Sequence, residues 1–348
     1  MNEDVIALIE DSRVLHLLAK AGQNDSRYWR DFLELITDFR KNLDEKEFKN
    51  FLIKSQLNQV ITLAQYLQFA SETTVVDYVM RKYKGFRSEP QYGKKKNPEC
   101  SFEYEGRTVN VEVKCPDYSK RKLEEQVEAI KVFAAERFPQ KEMLDESIQV
   151  IEQNIDGNIM IISRMDNKLK DYLISAHDKF PSSGRNYFNI LVICLDIISD
   201  MDEWYSYVFG NEGVFSEQSY VKENYENVDA IMLTNIVHGH TGDPECDKYN
   251  CWNLENYVSL LFLNPMKEKD KDLADYYFKH AITLFGNNSM DFLRYQCELD
   301  LKNNEREKWL VSQGIMGDKL TQIQKMYYSE DKIIGLKIIS EWCKSISH

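Results

Sequence analysis

The chain alternates between two kinds of apolar spacing. Residues 3–22, "EDVIALIEDSRVLHLLAKAG", place apolar side chains at helical intervals and end at Gly22. Three more helices follow: 27–43 after the capping segment "NDS", 45–55 after Asp44, and 58–70, "NQVITLAQYLQFA". Ser71 is placed to cap a further helix, "ETTVVDYVMRKY", which stops at Lys84-Gly85. The spacing then changes to two. "CSFEYEG" and "RTVNVEVKC" alternate and meet at Glu105-Gly106, a hairpin signal. Helical spacing returns over 119–138, "SKRKLEEQVEAIKVFAAERF". Runs at 158–163, 187–196 and 228–237 read as buried strands, with a helix over 166–180 between the first two. From Met266 the pattern is helical again, over 271–286 and 289–304, with no second copy of any segment at a fixed period.

These elements predict three regions. Residues 1–70 form a helical amino-terminal region, 71–265 an α/β domain with a mixed sheet, and 266–348 a helical carboxy-terminal region. No Pro or Gly cluster separates the first region from the second, so the two are expected to pack together.

Composition changes little in this picture and charge changes more. The 348 residues are 43% hydrophobic and 29% charged, ordinary for a globular chain. The start, "MNEDVIALIE", is acidic where a secretory signal is basic. The longest strongly apolar run, "ILVICLDII", is about half a membrane span and contains Asp196. With seven scattered cysteines, the expectation is a soluble cytoplasmic protein with reduced thiols. The net charge of −13 argues against broad adhesion to polyanions. Residues 81–122, however, hold twelve Lys and Arg against six Asp and Glu, a surplus of six that leaves −19 on the remainder. One anionic ligand at one place fits that imbalance.

The basic stretch surrounds "NPECSFEYEGRTVNVEVKCP", residues 97–116. In a strand over 107–114, Val109, Val111 and Val113 share one side, and Asn110, Glu112 and Lys114 the other. A solvated outer face accounts for Glu112 and Lys114 taken alone. Three neighbours point further: Glu99 after Pro98 at the start of the partner strand, Glu72 beside the helix cap, and Lys120, Arg121 and Lys122 opening the next helix.

That order, with "PE" followed thirteen residues later by "VEVK", resembles the core of the PD-(D/E)XK nuclease superfamily over roughly residues 71–138. Glu99 stands where the family more often has Asp. The resemblance implies a restriction-endonuclease-like α/β fold and Mg²⁺- or Mn²⁺-dependent hydrolysis of phosphodiester bonds, with DNA as the substrate. Glu99, Glu112 and the Val113 carbonyl would hold the hard cation. Lys114 would orient or help deprotonate water and steady developing negative charge. Glu72 would reach a second metal or its water shell, and Gln126 matches a glutamine kept by some members. Lys94, Lys95 and Lys96, with Lys120, Arg121 and Lys122, would meet flanking phosphates. A role in phage defence or restriction follows from the same resemblance, as does assembly into a homo-oligomer or with a protein partner through the helical regions.

Other chemistry is weaker. His238, His240, Cys246 and Cys251 suit tetrahedral zinc by type, but their spacing matches no common finger, and a polar loop after a strand is the competing assignment. Cys115 has no nearby His and reads as a packed thiol. There is no Walker A or G-x-G-x-x-G pattern. The rival from another class is a non-catalytic scaffold whose helical flanks bind partners around an inactive nuclease-like core.

Overall fold

In a computed structural model, the described residues are 18, 26–56, 61–118, 130–134, 159–163, 165–196, 198–209, 213–215, 225–241, 249–267, 269–281 and 283–286. After the helical Leu18, three helices come first among the described residues. Helix α1, Arg27–Asn42, starts at Ser26, whose hydroxyl accepts from the Trp29 amide. Its inward stripe of Tyr28, Phe32, Leu35, Ile36 and Phe39 follows the helical period. Helix α2, Glu45–Ser55, begins with a capping box between Asp44 and Glu47.

Helix α3, Leu63–Lys82, corrects the expected boundary at Ser71. It is capped by Thr62, with Gln65 closing a second capping box, and runs unbroken through Ser71, which is buried in its middle. A Ser caps only where backbone amides lack partners; here the preceding turn already supplies them. Buried residues surround most of α3, because it packs against α1 and α2 on one side and a sheet on the other.

Strands β1 (Lys84–Ser88), β2 (Cys100–Tyr104), β3 (Arg107–Lys114), β6 (Tyr187–Cys194), β7 (Ala230–Thr234) and β8 (Ser259–Leu263) form that mixed sheet in the order β1-β2-β3-β6-β7-β8. The first three are antiparallel, β3, β6 and β7 run parallel, and β8 returns antiparallel to β7. The β2–β3 turn is Glu105-Gly106, both with positive φ (46° and 83°), as a two-residue hairpin loop of matching twist requires. Strand β8 and the short β1 were not among the predicted elements. The two remaining strands, β4 (Ile130–Ala134) and β5 (Ile159–Ser163), pair with each other in parallel as a separate two-stranded sheet.

Strand β4 overturns part of the helix expected over 119–138. "IKVFA" carries both a helical period and strand-favouring residue types, and pairing with β5 decides between them. The rest of that span lies outside the described residues, as do the helix expected over 289–304 and, apart from a helical, buried Leu18, the helix expected over 3–22. Helix α4 (Asp166–Lys179) precedes β6, α5 (Ile198–Phe209) follows it, and α6 (Lys271–His280) follows β8. The expected helix over 271–286 ends at His280, before a separate 3-10 turn, Leu284–Gly286.

One core covers both faces of the sheet, and a second lies between α1, α2, α3 and Trp252. Leu67, Val76, Phe86 and Tyr249 pack against both. The helical start and the sheet therefore share an apolar seam, and no helix among the described residues is long and apolar enough to cross a membrane.

Candidate active site

Strand β3 is central, so its second face is not solvated. Asn110 and Glu112 are fully buried on it, opposite the Val109, Val111 and Val113 stripe. Asn110 accepts from Tyr92 (2.6 Å) and donates to Asn189 on β6 (2.8 Å), which fixes the middle of this face. At its end the charged groups gather. Cys100 pairs with Val111, and the Glu99 amide also donates to the Val111 carbonyl (3.0 Å), which carries the β2–β3 pairing one residue further and sets Glu99 beside Glu112.

The two carboxylates share one ammonium. Lys179, at the end of α4, lies 2.6 Å from Glu112 Oε1 and 3.4 Å from Glu99 Oε1. Lys114 Nζ is 2.7 Å from the same Glu112 oxygen. Lys54, from the last turn of α2, reaches Glu99 Oε2 at 3.1 Å and also contacts Glu89. Glu72 enters from the middle of α3, not from a first turn. Gln68, one turn earlier, is the staple: its amide nitrogen contacts Glu72 and the Val113 carbonyl (3.3 Å), and its oxygen accepts from the Cys115 amide (2.8 Å). Glu72, Glu99, Glu112, Lys114 and the Val113 carbonyl are thus brought to one place, joined by Lys54, Lys179 and Gln68.

These three additional residues were not legible in the sequence. Lys179 and Lys54 each sit in the last turn of a helix, where a basic residue is ordinarily credited to the helix dipole. Neither is near the motif in the chain.

Charge is compensated unevenly here. Burial and then the neighbouring Glu99 charge push the Glu72 carboxyl up to about 8. Burial acts the same way on Glu99, but Lys54 and Lys179 outweigh it and hold that carboxyl below its usual value. Burial pushes Glu112 upward despite Lys114 and Lys179, and its Oε2 has no hydrogen-bond partner. Lys179 is driven upward because Glu112 and Glu99 outweigh its own burial. A buried carboxylate oxygen without a partner, beside a second raised carboxyl and a backbone carbonyl, is a donor set that suits a hard divalent cation. As they stand, no three His, Cys, Asp or Glu side chains among the described residues form a group able to hold a metal ion. Lys179 takes the place between Glu99 and Glu112, and it must swing aside for a cation to bind both.

The remaining candidates separate from this cluster. Lys94 donates to the His177 carbonyl (3.3 Å), while Lys95 and Lys96 are exposed. Lys120, Arg121, Lys122 and Gln126 lie outside the described residues. Cys115 is a packed thiol, pushed up to about 12 by burial. The zinc assignment fails on His240, whose Nδ1 is 2.6 Å from the Tyr28 hydroxyl and whose Nε2 is 3.1 Å from Thr74 Oγ1, leaving neither nitrogen for a metal. His238 pairs instead with Asp196 (3.3 Å), Cys251 is buried against the Tyr249 carbonyl, and Cys246 lies outside the described residues.

Comparison with protein-family models, with curated proteins and with solved structures finds no match for this chain.

Proposed function

We propose that the protein is a metal-dependent nuclease with a restriction-endonuclease-like core, and that DNA is its substrate. The observation that carries this is the meeting of Glu99 and Glu112 on a single ammonium, with Lys114 on the same Glu112 oxygen. The element order supports it: a helix bearing Glu72, a hairpin bearing Glu99 and Glu112-x-Lys114, a further helix, then a strand parallel to β3. Glu99, Glu112 and the Val113 carbonyl would hold Mg²⁺ or Mn²⁺, with Glu72 beside them. When bound, the cation neutralises phosphoryl oxygens and lowers the pKa of a water toward neutrality. Lys114 orients that water and donates to the charge that develops in the transition state. Gln68 holds the Val113 carbonyl and Glu72 in place by bonding both. Exposed Lys95 and Lys96 supply point charges for flanking phosphates. Restriction or phage defence is the biological setting that the resemblance favours.

The test is cleavage of plasmid and single-stranded DNA in Mg²⁺ or Mn²⁺ by the wild type and by Lys114→Ala. The wild type cuts, and the variant loses about 10²-fold or more in rate. Equal cutting by both removes Lys114 from the site. One observation favours a second reading: three lysines already face Glu99 and Glu112, so the cluster can serve as a buried structural ion network inside a scaffold. If neither protein cuts any DNA and Mn²⁺ does not bind, the scaffold reading replaces the enzyme.

A further inference from the structure

Helix α2 does more than supply Lys54. Between it, α3 and the start of β2 lies a cleft of about 270 Å³. Lys54, Glu72 and Glu99 line its polar side, and Phe39, Phe51 and Phe69 its apolar side. It is therefore continuous with the carboxylate cluster. We propose that this cleft takes the base of one unpaired nucleotide, so that single-stranded DNA, or a single-stranded tail, is the preferred substrate; this deepens the nuclease reading and rests on it.

Size and composition carry the argument. Sites that enclose a drug-sized ligand span roughly 300–1,000 Å³, and this cleft falls just below that range. One base fits it. The carboxylates are also sunk. Glu112 is fully buried, and the Glu99 side chain keeps only 12% of its exposure beneath Lys54. A duplex presents its phosphates on a broad convex surface, with grooves about 6 and 12 Å wide. It cannot press a phosphate between α2 and β2 without displacing α2. A flexible single strand can enter and turn one base inward. Phe51 is half-buried and packs at a tilt among other rings, with its centroid 4.6 Å from that of Phe39 (interplanar angle 40°) and 5.9 Å from that of Phe69 (41°). It thus offers an aromatic surface fixed in advance, and stacking on such a surface tolerates any base. Lys54, which is paired with Glu89 and Glu99, supplies an ammonium at the junction between the rings and the carboxylates, where the nucleotide's own phosphate would lie.

The experiment compares one labelled DNA sequence as a single strand, a blunt duplex and a tailed duplex, using the full chain in Mn²⁺. Cleavage and binding anisotropy are both read. Wild type cuts and binds the single strand and the tail at least tenfold better than the blunt duplex. Phe51→Leu, which keeps apolar volume and removes the ring, weakens single-strand binding and raises KM about tenfold while retaining a cooperative melt. Phe51→Tyr restores both. Equal handling of the blunt duplex, or an unchanged KM in a folded Phe51→Leu variant, overturns the inference and leaves the nuclease reading standing. Phe51-dependent binding without any cleavage supports the cleft assignment while the nuclease reading fails. If no DNA is bound or cut, both fall.

Discussion

Lys179 concentrates the physics of the cluster into one side chain. It is buried, and its ammonium is the only cation touching both Glu99 and Glu112 among the described residues. Removing one partner of an isolated buried ion pair typically costs about 3–5 kcal/mol. Lys179→Met should lower the metal-free melting temperature by less than that implies, because Lys114 still faces Glu112 and Lys54 still faces Glu99. The same change vacates the space between the two carboxylates. Added Mn²⁺ should then raise the variant's melting temperature by more than it raises the wild type's, because no ammonium has to leave first. A smaller Mn²⁺-dependent gain in the variant would mean that the lysine helps build the cation site. His240 gives a second test at this scale. Its burial lowers its folded pKa to about 3 from an ordinary value near 6.5. The unfolded chain therefore binds the extra proton between those values and the folded chain does not. Stability from this site is present above pH 6.5 and is lost as pH falls toward 3. Urea melts from pH 7 to pH 4 should show a shallower decline for His240→Gln than for wild type. At pH 7 the variant starts about 1–3 kcal/mol lower, since Tyr28 and Thr74 lose their buried partner.

At the scale of elements, α3 is where expectation and structure part most usefully. Thr62→Ala should cost about 1 kcal/mol in denaturant melts, the usual loss of an N-cap. Ser71→Ala should be close to neutral, because residue 71 lies mid-helix and Ala is the better helix former. The reverse order would restore the cap at Ser71. A Ser followed by Glu72 looks like a helix start, whereas Thr62 fell inside the helix expected over 58–70. Only the absence of any Gly or Pro between 62 and 82 argued for continuity. The hairpin was fully legible, because alternation and Glu105-Gly106 both specify it locally. Glu99, Glu112 and Lys114 followed from that hairpin together with its neighbours and the family resemblance they carry. Lys54, Lys179 and Gln68 did not, because their convergence depends on where α2, α4 and α3 dock, and docking is a long-range property. Strand β4 was missed for the same reason: its backbone is decided by a partner 29 residues away, Ile159 against Ile130. Strand β1 has one apolar residue, Phe86, and gave no period to read.

At the scale of the molecule, the question is whether the helical start is an appendage or part of the protein's body. Residues 70 and 71 lie inside one helix, and the core of α1 and α2 closes over Phe69, Ala70 and Met80 of α3 and over Trp252, which follows β7 in the chain. The Trp252 ring nitrogen donates to the Tyr28 carbonyl of α1 (3.2 Å), and the Tyr28 hydroxyl bonds His240 beyond β7. Such contacts couple distant parts of the chain into one cooperative unit. A protein that begins at residue 61 would expose that apolar surface and strip Lys54 from Glu99. The expected outcome is an aggregating or non-cooperative product, seen as a broad thermal transition by circular dichroism and early elution on size exclusion. The intact chain should give a single sharp transition. Restoring residues 26–60 as a separate peptide should recover part of the cooperativity, because the apolar faces of α1 and α2 complement that of α3. If the shortened protein instead melts sharply near the wild-type temperature, α1 and α2 are a detachable module, and the cleft beside Glu72 and Glu99 is open to a duplex.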